Sequence, residues 1–168
     1  MSRAFVKEDD QEENPIIPQR SPLPDGVTNY VTPGGLVELE NEKATLENEK
    51  KDIPNEESPE RRAALKVLNA KLSMLLERIN SAEVIDFEGI DTPEIRFGAS
   101  VTFQFSNENK RRKFQIVGVD EADIKAKKIA FTSPIAKALI GRTTGESVEL
   151  QLENGTKKIA ILKIEYHR

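Results

Sequence analysis

Few residues of this 168-residue chain have a type and setting that suit catalysis. The only histidine, His167, stands one residue from the C-terminus with no candidate partner beside it, and we interpret it as a solvated terminal residue. Cysteine is absent, which excludes a disulfide framework and a thiolate metal site. The pair Gly34-Gly35 does not form a phosphate loop, because no strand pattern precedes it and no Lys-Ser/Thr follows. We therefore predict no catalytic residues, no metal site and no enzymatic activity of the chain's own.

The basic run Lys110-Arg111-Arg112-Lys113 is the other group of residues that could bind a ligand. We interpret it as a solvated hairpin turn, with contact to nucleic acid as the alternative. The net charge of −4 and a pI near 5.3 argue against a protein whose main affinity comes from neutralising phosphates. Contact with nucleic acid is therefore expected to be indirect only.

Composition indicates a soluble protein with a small core. Hydrophobic residues make up 37% of the chain, aromatic residues 5% and charged residues 32%. No apolar run approaches the roughly 18 residues that a membrane-spanning helix needs, and the N-terminus lacks a signal-like apolar stretch. We expect a cytoplasmic protein that does not interact with membranes.

Residues 1–29 are acidic and rich in proline. The acidic patch and the prolines that follow it are Glu8, Asp9, Asp10, Glu12, Glu13, Pro15, Pro18, Pro22 and Pro24. Such a segment buries too little apolar surface to offset the entropy lost on ordering. We predict a disordered tail, with a partner-binding peptide around Ile16 and Ile17 as the alternative.

Residues 30–83 carry two helical patterns. Thr32-Pro33 and Ser58-Pro59 each combine an N-cap residue with proline at the first helical position, and Pro54 interrupts the helix between them. The apolar residues of the second arm follow a heptad seam: Leu65, Leu68, Leu72, Leu75, Ile79 and Ala82. We predict a monomeric antiparallel coiled-coil hairpin, and a spacer or dimerisation element is the alternative.

Residues 84–168 predict a compact α+β domain. Apolar and polar residues alternate in two segments, with apolar positions Val101, Phe103, Phe105, Val148, Leu150 and Leu152. Asn154-Gly155 predicts a hairpin turn before a buried strand over residues 159–164, and Ser133-Pro134 opens a short helix that Gly141 ends. We expect about five antiparallel strands with one small helix packed on the sheet.

Four blocks in this order resemble the bacterial transcript-cleavage factors of the Gre family (GreA and GreB). They are Tyr30–Leu36 at the hairpin entry, Ser81–Asp86 at its exit, Asp120–Asp123 and Ser133-Pro134. The similarity covers about residues 30–168. It implies an FKBP-like fold for residues 84–168. It also implies that core RNA polymerase is the partner, with this domain docked at the secondary channel and the hairpin reaching towards the active site.

By this resemblance, docking on the polymerase is assigned to Asp120, Glu121, Ala122, Asp123, Ser133, Pro134 and Ile135. An acidic loop can steer association with a basic surface, and an exposed proline and isoleucine add an apolar anchor. In the alternative interpretation, Asp120 and Asp123 only shape a turn and Ser133 only caps the helix.

The hairpin tip departs from the family pattern. Cleavage-active members carry an Asp and a Glu there, followed by Asn-Ala-Glu-Tyr, and these acids help the polymerase to hold its second Mg²⁺. The corresponding stretch here offers Asp52, Glu56 and Glu57 without that tetrapeptide, with Pro54 between them, on arms that are shorter by about two turns, or ~10 Å. The resemblance thus implies a regulator of transcription elongation with weak or absent stimulation of transcript cleavage. We expect this protein to have no cofactor of its own and to share any Mg²⁺ with the polymerase.

Other functions remain as alternatives. A full transcript-cleavage factor would need the tip acids to reach the metal. An FKBP-type peptidyl-prolyl isomerase would need an aromatic-lined pocket, and this chain has no tryptophan. A plain coiled-coil interaction module would leave the Asp120–Asp123 loop and Ser133-Pro134 without a role.

Overall fold

Two long helices precede a five-stranded sheet in the computed structural model, which describes residues 14–167. The elements in chain order are β1 (Tyr30–Val31), α1 (Pro33–Asp52), α2 (Pro59–Ser81), β2 (Glu83–Val84), β3 (Ser100–Phe105), β4 (Arg111–Val117), β5 (Lys128–Ala130), α3 (Pro134–Leu139), β6 (Ser147–Leu152) and β7 (Gly155–Glu165). This is the α+β arrangement that the sequence predicts.

All three helices begin with the same local chemistry. The hydroxyl of Thr32 accepts a hydrogen bond from the backbone N–H of Gly35 at 2.9 Å, and that of Ser58 accepts one from Arg61 at 3.0 Å. In α3 the cap is Ser133, and in each helix a proline follows the cap. Proline is suited to this position because its fixed φ is already helical and its missing N–H would have no partner there.

The two arms of the hairpin pack through their leucines. Leu39 and Leu46 of α1 are buried with Leu68 and Leu75 of α2, as the heptad spacing predicts. Burying a leucine fully stabilises the folded state by roughly 1.5–3 kcal/mol. Within residues 14–167 no helix has both the length and the apolar character needed to span a membrane.

A small parallel pair closes the base of the hairpin. Tyr30 of β1 lies opposite Glu83 of β2, and Val31 lies opposite Val84. We call this pair the clasp. Because β1 precedes α1 and β2 follows α2, the clasp joins the entry of the hairpin to its exit.

The sheet of the compact domain has the strand order β5-β4-β3-β7-β6. The pairs β3–β4, β3–β7 and β6–β7 are antiparallel, as expected. The expectation of an all-antiparallel sheet is wrong for β4 and β5, which run parallel with Gln115 opposite Lys128. A parallel connection must bring the chain back to the end of the sheet at which the next strand starts. Because β5 has only three residues, the ten-residue loop between β4 and β5 is long enough to cover that short distance.

The core of the compact domain lies on one face of this sheet. Phe103 from β3, Ile116 from β4 and Ile159 from β7 are fully buried, and Leu139 of α3 covers them. A hairpin turn forms between β6 and β7, but one position earlier than predicted: Glu153 and Asn154 make the turn, and Gly155, with a φ of +115°, pairs with Leu152 as the first residue of β7.

The N-terminal segment differs from the predicted disordered tail. Residues 1–13 lie outside the described residues, but residues 14–29 follow the hairpin and are held by specific contacts. Lys66 donates to the side-chain oxygen of Asn14 at 2.6 Å, and buried Asn29 donates to the carbonyl oxygen of Arg78 at 2.9 Å. We call residues 14–29 the strap. Its prolines reduce the entropy cost of ordering, and its polar side chains find partners on both helices.

Candidate docking surface

The acidic loop leaves β4 at Val117 and passes close to the clasp. A Cβ built on Gly118 would lie 2.6 Å from the carbonyl oxygen of Tyr30, so a larger residue would force the backbone to shift. The loop is therefore held against the base of the hairpin, and its first acidic side chains meet hairpin residues.

Asp120 is largely buried between the compact domain and the hairpin. Its Oδ1 accepts a hydrogen bond from Nε of Arg20 at 2.9 Å, and its Oδ2 accepts one from Nη1 of Arg78 at 3.2 Å. Arg20 also donates to both carboxylate oxygens of Glu42, at 2.7 and 3.0 Å. We call Arg20, Glu42, Arg78 and Asp120 the charged joint, because they connect the strap, both helices and the compact domain.

The charged joint favours the charged form of Arg20. The hydrogen bond to Glu42 raises the pKa of Arg20 above its usual value, against an opposing effect of partial burial and with a further contribution from Asp120. The Asp120 side chain is only 8% exposed, and two guanidinium groups neutralise it. Paired in this way, it has little charge left to present to solvent.

Glu121 sits at the N-terminus of α1. The hydroxyl of Thr32 donates to its Oε2 while accepting from Gly35, and Lys128 donates to its Oε1 at 2.9 Å. A carboxylate at this end of a helix is stabilised by the helix dipole. Desolvation acts to lower the pKa of Lys128, but the hydrogen bond and the charge of Glu121 outweigh it, so the net shift is upward.

The second half of the loop faces solvent. Ala122 and Asp123 are exposed, and Asp123 forms an isolated antiparallel bridge with Lys128. Its Oδ1 accepts a hydrogen bond from the N–H of Lys125 at 2.9 Å, which shapes the turn that follows. Asp123 thus shapes a turn, as the alternative interpretation expects, and its side chain also lies at the surface.

Ser133, Pro134 and Ile135 form the start of α3. The hydroxyl of Ser133 accepts from the N–H of Ala136 at 3.3 Å, which is the predicted cap. Pro134 is exposed, whereas Ile135 is half-buried and packs against the core.

The chain leaves β4 and β5 at the same end of the sheet, because the two strands are parallel and Val117 lies opposite Ala130. The acidic loop then turns back, since Asp123 bridges Lys128 at the start of β5, whereas Ser133 follows the end of that strand. Near the end of β4 and β5, the rings of Tyr30, Phe97 and Phe131 pack together with centroids 5.6 to 6.0 Å apart. The seven residues proposed for docking therefore divide into a buried pair, Asp120 and Glu121, and an outer group at the surface.

The hairpin tip is the second candidate site. α1 ends at Asp52 and α2 begins at Pro59, and all three tip acids are exposed. Glu57 pairs with Arg61 at 3.3 Å and with Arg62 at 3.9 Å, and Nε of Arg61 donates to the carbonyl oxygen of Pro54 at 2.9 Å. Within residues 14–167 no cluster of three or more His, Cys, Asp or Glu side chains is arranged to hold a metal ion.

Sequence reasoning missed several of these contacts. Arg20 lies in the predicted tail, and its partner Asp120 is 100 positions away, so no local pattern connects them. Thr32 is identified as a cap from Thr-Pro, but its contact with Glu121 is not. His167, for which no partner was expected, lies 3.4 Å from Glu165, although its side chain remains 64% exposed.

Comparison with known proteins identifies similar chains. The family model for "Transcription elongation factor, GreA/GreB, C-term" matches residues 90–166. Transcription elongation factor GreA of Rhizobium leguminosarum bv. trifolii (strain WSM2304) is 33% identical over 151 residues, covering 81% of this chain and 96% of that protein. Transcription elongation factor GreA of Phenylobacterium zucineum (strain HLK1) is 34% identical over 99 residues, so the match spans 59% of this chain and 63% of the relative's length.

Among solved structures, GreA factor homolog 1 (Gfh1) of Thermus thermophilus matches at 19% identity, covering 83% of this chain and 99% of that chain. The TM-score of this match is 0.38.

Proposed function

This chain belongs to the GreA/GreB family of transcription elongation factors, and we propose that it regulates elongation by binding core RNA polymerase at the secondary channel. The observation that carries the proposal is the attachment of the acidic loop to the base of the hairpin: Glu121 binds Thr32 at the N-terminus of α1, and the next two residues, Ala122 and Asp123, are exposed. A partner that binds this loop also lies close to the hairpin, so one docking event would aim the hairpin into the channel.

The seven candidate residues have different roles in this proposal. Ala122, Asp123, Pro134 and the accessible part of Ile135 contact the polymerase, and Ser133 holds Pro134 in place by capping α3. Asp120 and Glu121 act as positioning residues, because their carboxylates already bind Arg20, Arg78, Thr32 and Lys128.

We further propose that the protein is no enzyme by itself and stimulates transcript cleavage weakly or not at all. The arginine contacts of Glu57 support this, since a carboxylate paired with two guanidinium groups must give them up to bind a metal. Any Mg²⁺ would be held together with the polymerase, because one or two carboxylates need further ligands from substrate and water. Full transcript-cleavage activity is the second candidate, and the exposure of Asp52 and Glu56 favours it.

The leucine packing of the hairpin supports a monomer. Leu39, Leu46, Leu68 and Leu75 are buried between the chain's own two arms, so this leucine seam is not open to a second copy. Light scattering should give the molar mass of one chain.

Docking is tested by the double substitution Asp123→Asn and Pro134→Ala. Asparagine can still accept the turn hydrogen bond from Lys125 but has no charge, so the fold should persist. We expect about a tenfold loss of affinity for core polymerase, or roughly 1.4 kcal/mol, with the larger effect at low salt, where charge steering is strongest. Glu149→Gln, on the exposed side of β6, is the matched control. Equal binding by the double variant and this control at all salt concentrations would refute the docking assignment.

Cleavage is tested on backtracked elongation complexes. We expect little cleavage with the purified protein alone. When it is added together with a cleavage-active GreA, we expect that factor's apparent activity to fall, because both compete for one docking site. Robust cleavage that is lost on replacing Asp52, Glu56 and Glu57 with alanine would instead establish the second candidate.

A further inference from the structure

A cleft lined mainly by basic residues lies on the compact domain beside the first half of β4. It has a volume of about 320 Å³, and its lining is Lys110–Lys113, Phe114, Ile124, Lys125 and Lys127. We call it the basic cleft. Six of its eight lining residues are cationic and none is acidic, so its potential is strongly positive despite the chain's net charge of −4.

Four of these cations have no acidic partner within residues 14–167. Arg112 pairs with Glu108 at 2.7 Å, and Lys113 pairs with Glu165 at 2.7 Å. Lys110, Arg111, Lys125 and Lys127 form no ion pair in this part of the chain, and all four are exposed. Like charges gathered in this way repel one another, so the arrangement costs free energy until an anion enters.

The walls of the basic cleft are a strand edge and a tight turn. β4 pairs with β5 only from Gln115 onward, which leaves the outer edge of residues 111–114 without a strand neighbour. The turn of residues 124–127, closed by the Asp123–Lys128 bridge, lies beside this edge.

The backbone of Lys127 is the second independent observation. Its φ is +59°, and it is the only non-glycine residue with positive φ within residues 14–167. Glycine or asparagine adopts this conformation at lower cost, so a lysine is a strained choice for the turn. Strain of this kind is typical of functional positions, and here it places a cation at the wall of the cleft.

We propose that the basic cleft binds single-stranded nucleic acid through its phosphate backbone. A nucleic acid strand carries an anion at every residue, which matches the four cations that form no ion pair, and a cleft of about 320 Å³ suits one strand better than a duplex. Half-buried Phe114 packs on the core and leaves little ring surface for base stacking, so binding should be independent of sequence. The inference goes beyond the proposed function and needs no polymerase.

The test is fluorescence anisotropy with a labelled single-stranded 12-nucleotide RNA and the full chain. Four phosphate contacts predict a slope of log K against log salt of about −3, because each contributes roughly −0.7. Lys125→Gln with Lys127→Asn should reduce this slope by about half. Lys50→Gln with Lys51→Gln removes the same charge from exposed positions at the end of α1 and should leave the slope unchanged.

Lys127→Asn alone separates binding from stability. Asparagine suits the left-handed backbone, so the melting temperature should stay equal or rise while the affinity for RNA falls. In an NMR titration, the amides of residues 110–114 and 124–128 should shift.

Three results would overturn the proposal. The first is an equal loss of affinity in the Lys50/Lys51 control, and the second is amide shifts confined to the hairpin. The third is binding of polyglutamate or of duplex RNA as tight as that of the single strand. If the cleft variants bind RNA normally but aggregate, the cations serve to keep the β4 edge from pairing with other chains.

Discussion

At the scale of single residues, Asp120 has a structural role that its place in an acidic loop conceals. Its carboxylate joins Arg20 of the strap to Arg78 of α2, and the charged joint thereby fixes the loop to the hairpin. In the docking proposed above, Asp120 orients the outer residues of the loop and does not itself contact the polymerase.

Replacing Asp120 by asparagine should lower the free energy of unfolding by about 2 kcal/mol, because two largely buried guanidinium groups lose their shared charge. Chemical denaturation measures this. Glu149→Gln, a surface change outside the joint, should stay within about 0.5 kcal/mol of the parent. If Asp120→Asn is as stable as that control, the charged joint contributes nothing to the folded state.

Glu165 provides a prediction about pH. Hydrogen bonds from Lys113, then Lys163 and His167, lower its pKa to about 2. Unfolded glutamate titrates near 4.3, so the stabilisation is complete above that pH and is lost as the pH falls towards 2. Glu165→Gln should therefore lower the melting temperature more at pH 5 than at pH 2.5. An equal difference at both values would show that the ion pairs do not form, and Glu153→Gln on the exposed β6–β7 turn is the control.

The role of a residue can be predicted from the sequence when its partners are close to it in the chain. Thr32, Ser58 and Ser133 cap their helices through N–H groups three positions ahead, so Thr-Pro and Ser-Pro suffice to identify them. The contacts of Arg20 with Asp120 and of Thr32 with Glu121 span 100 and 89 positions. They depend on how the finished domains meet, which no local pattern encodes.

At the scale of elements, the first turn of α1 contains two neighbouring glycines with opposite surroundings. A Cβ on Gly34 would lie 3.8 Å from the Thr32 hydroxyl, an ordinary contact, whereas one on Gly35 would lie 2.6 Å from Oε2 of Glu121. The absence of a side chain at Gly35 lets Glu121 of the compact domain pack against the N-terminus of α1.

Gly34→Ala should raise the free energy of unfolding by about 0.5–1 kcal/mol, because alanine favours the helix. Gly35→Ala should lower it by about 1 kcal/mol or more, because Glu121 must move away from Thr32. Thermal or chemical denaturation of the two variants provides a matched pair. Stabilisation by both would mean that Glu121 is free to leave the helix N-terminus.

The elements themselves are predictable where their pattern is periodic. The alternation in β3 and β6 and the heptads of α2 give the right elements, because burial repeats along them. The direction of β5 is not predictable, because three residues carry too little pattern and the loop before them decides the pairing.

At the scale of the whole molecule, the strap contributes to the stability of the hairpin. Pro18, Arg20 and Ser21 line one cleft together with Leu46 and Met74, and Nη2 of Arg78 donates to the carbonyl oxygen of Ser21. The compositional signal for disorder does not detect this, because it measures what the segment can bury by itself and ignores partners on the helices.

Deleting residues 1–28 should give a melting temperature several degrees lower than deleting residues 1–13, since the charged joint loses Arg20 and leaves Glu42 unpaired. Arg20→Ala in the full chain should give part of this loss. Identical melting curves for the two truncations would mean that the strap contacts are too weak to matter.

Because of the clasp, the length of the hairpin does not affect the contacts at its base. Because β1 and β2 hold the entry and the exit side by side, residues added in equal number to both arms would leave every contact at the base in place. One heptad in each arm keeps the leucine seam in phase and moves the tip outward by about 10 Å. The length of the hairpin can therefore change during evolution while the contacts between its base and the compact domain stay the same.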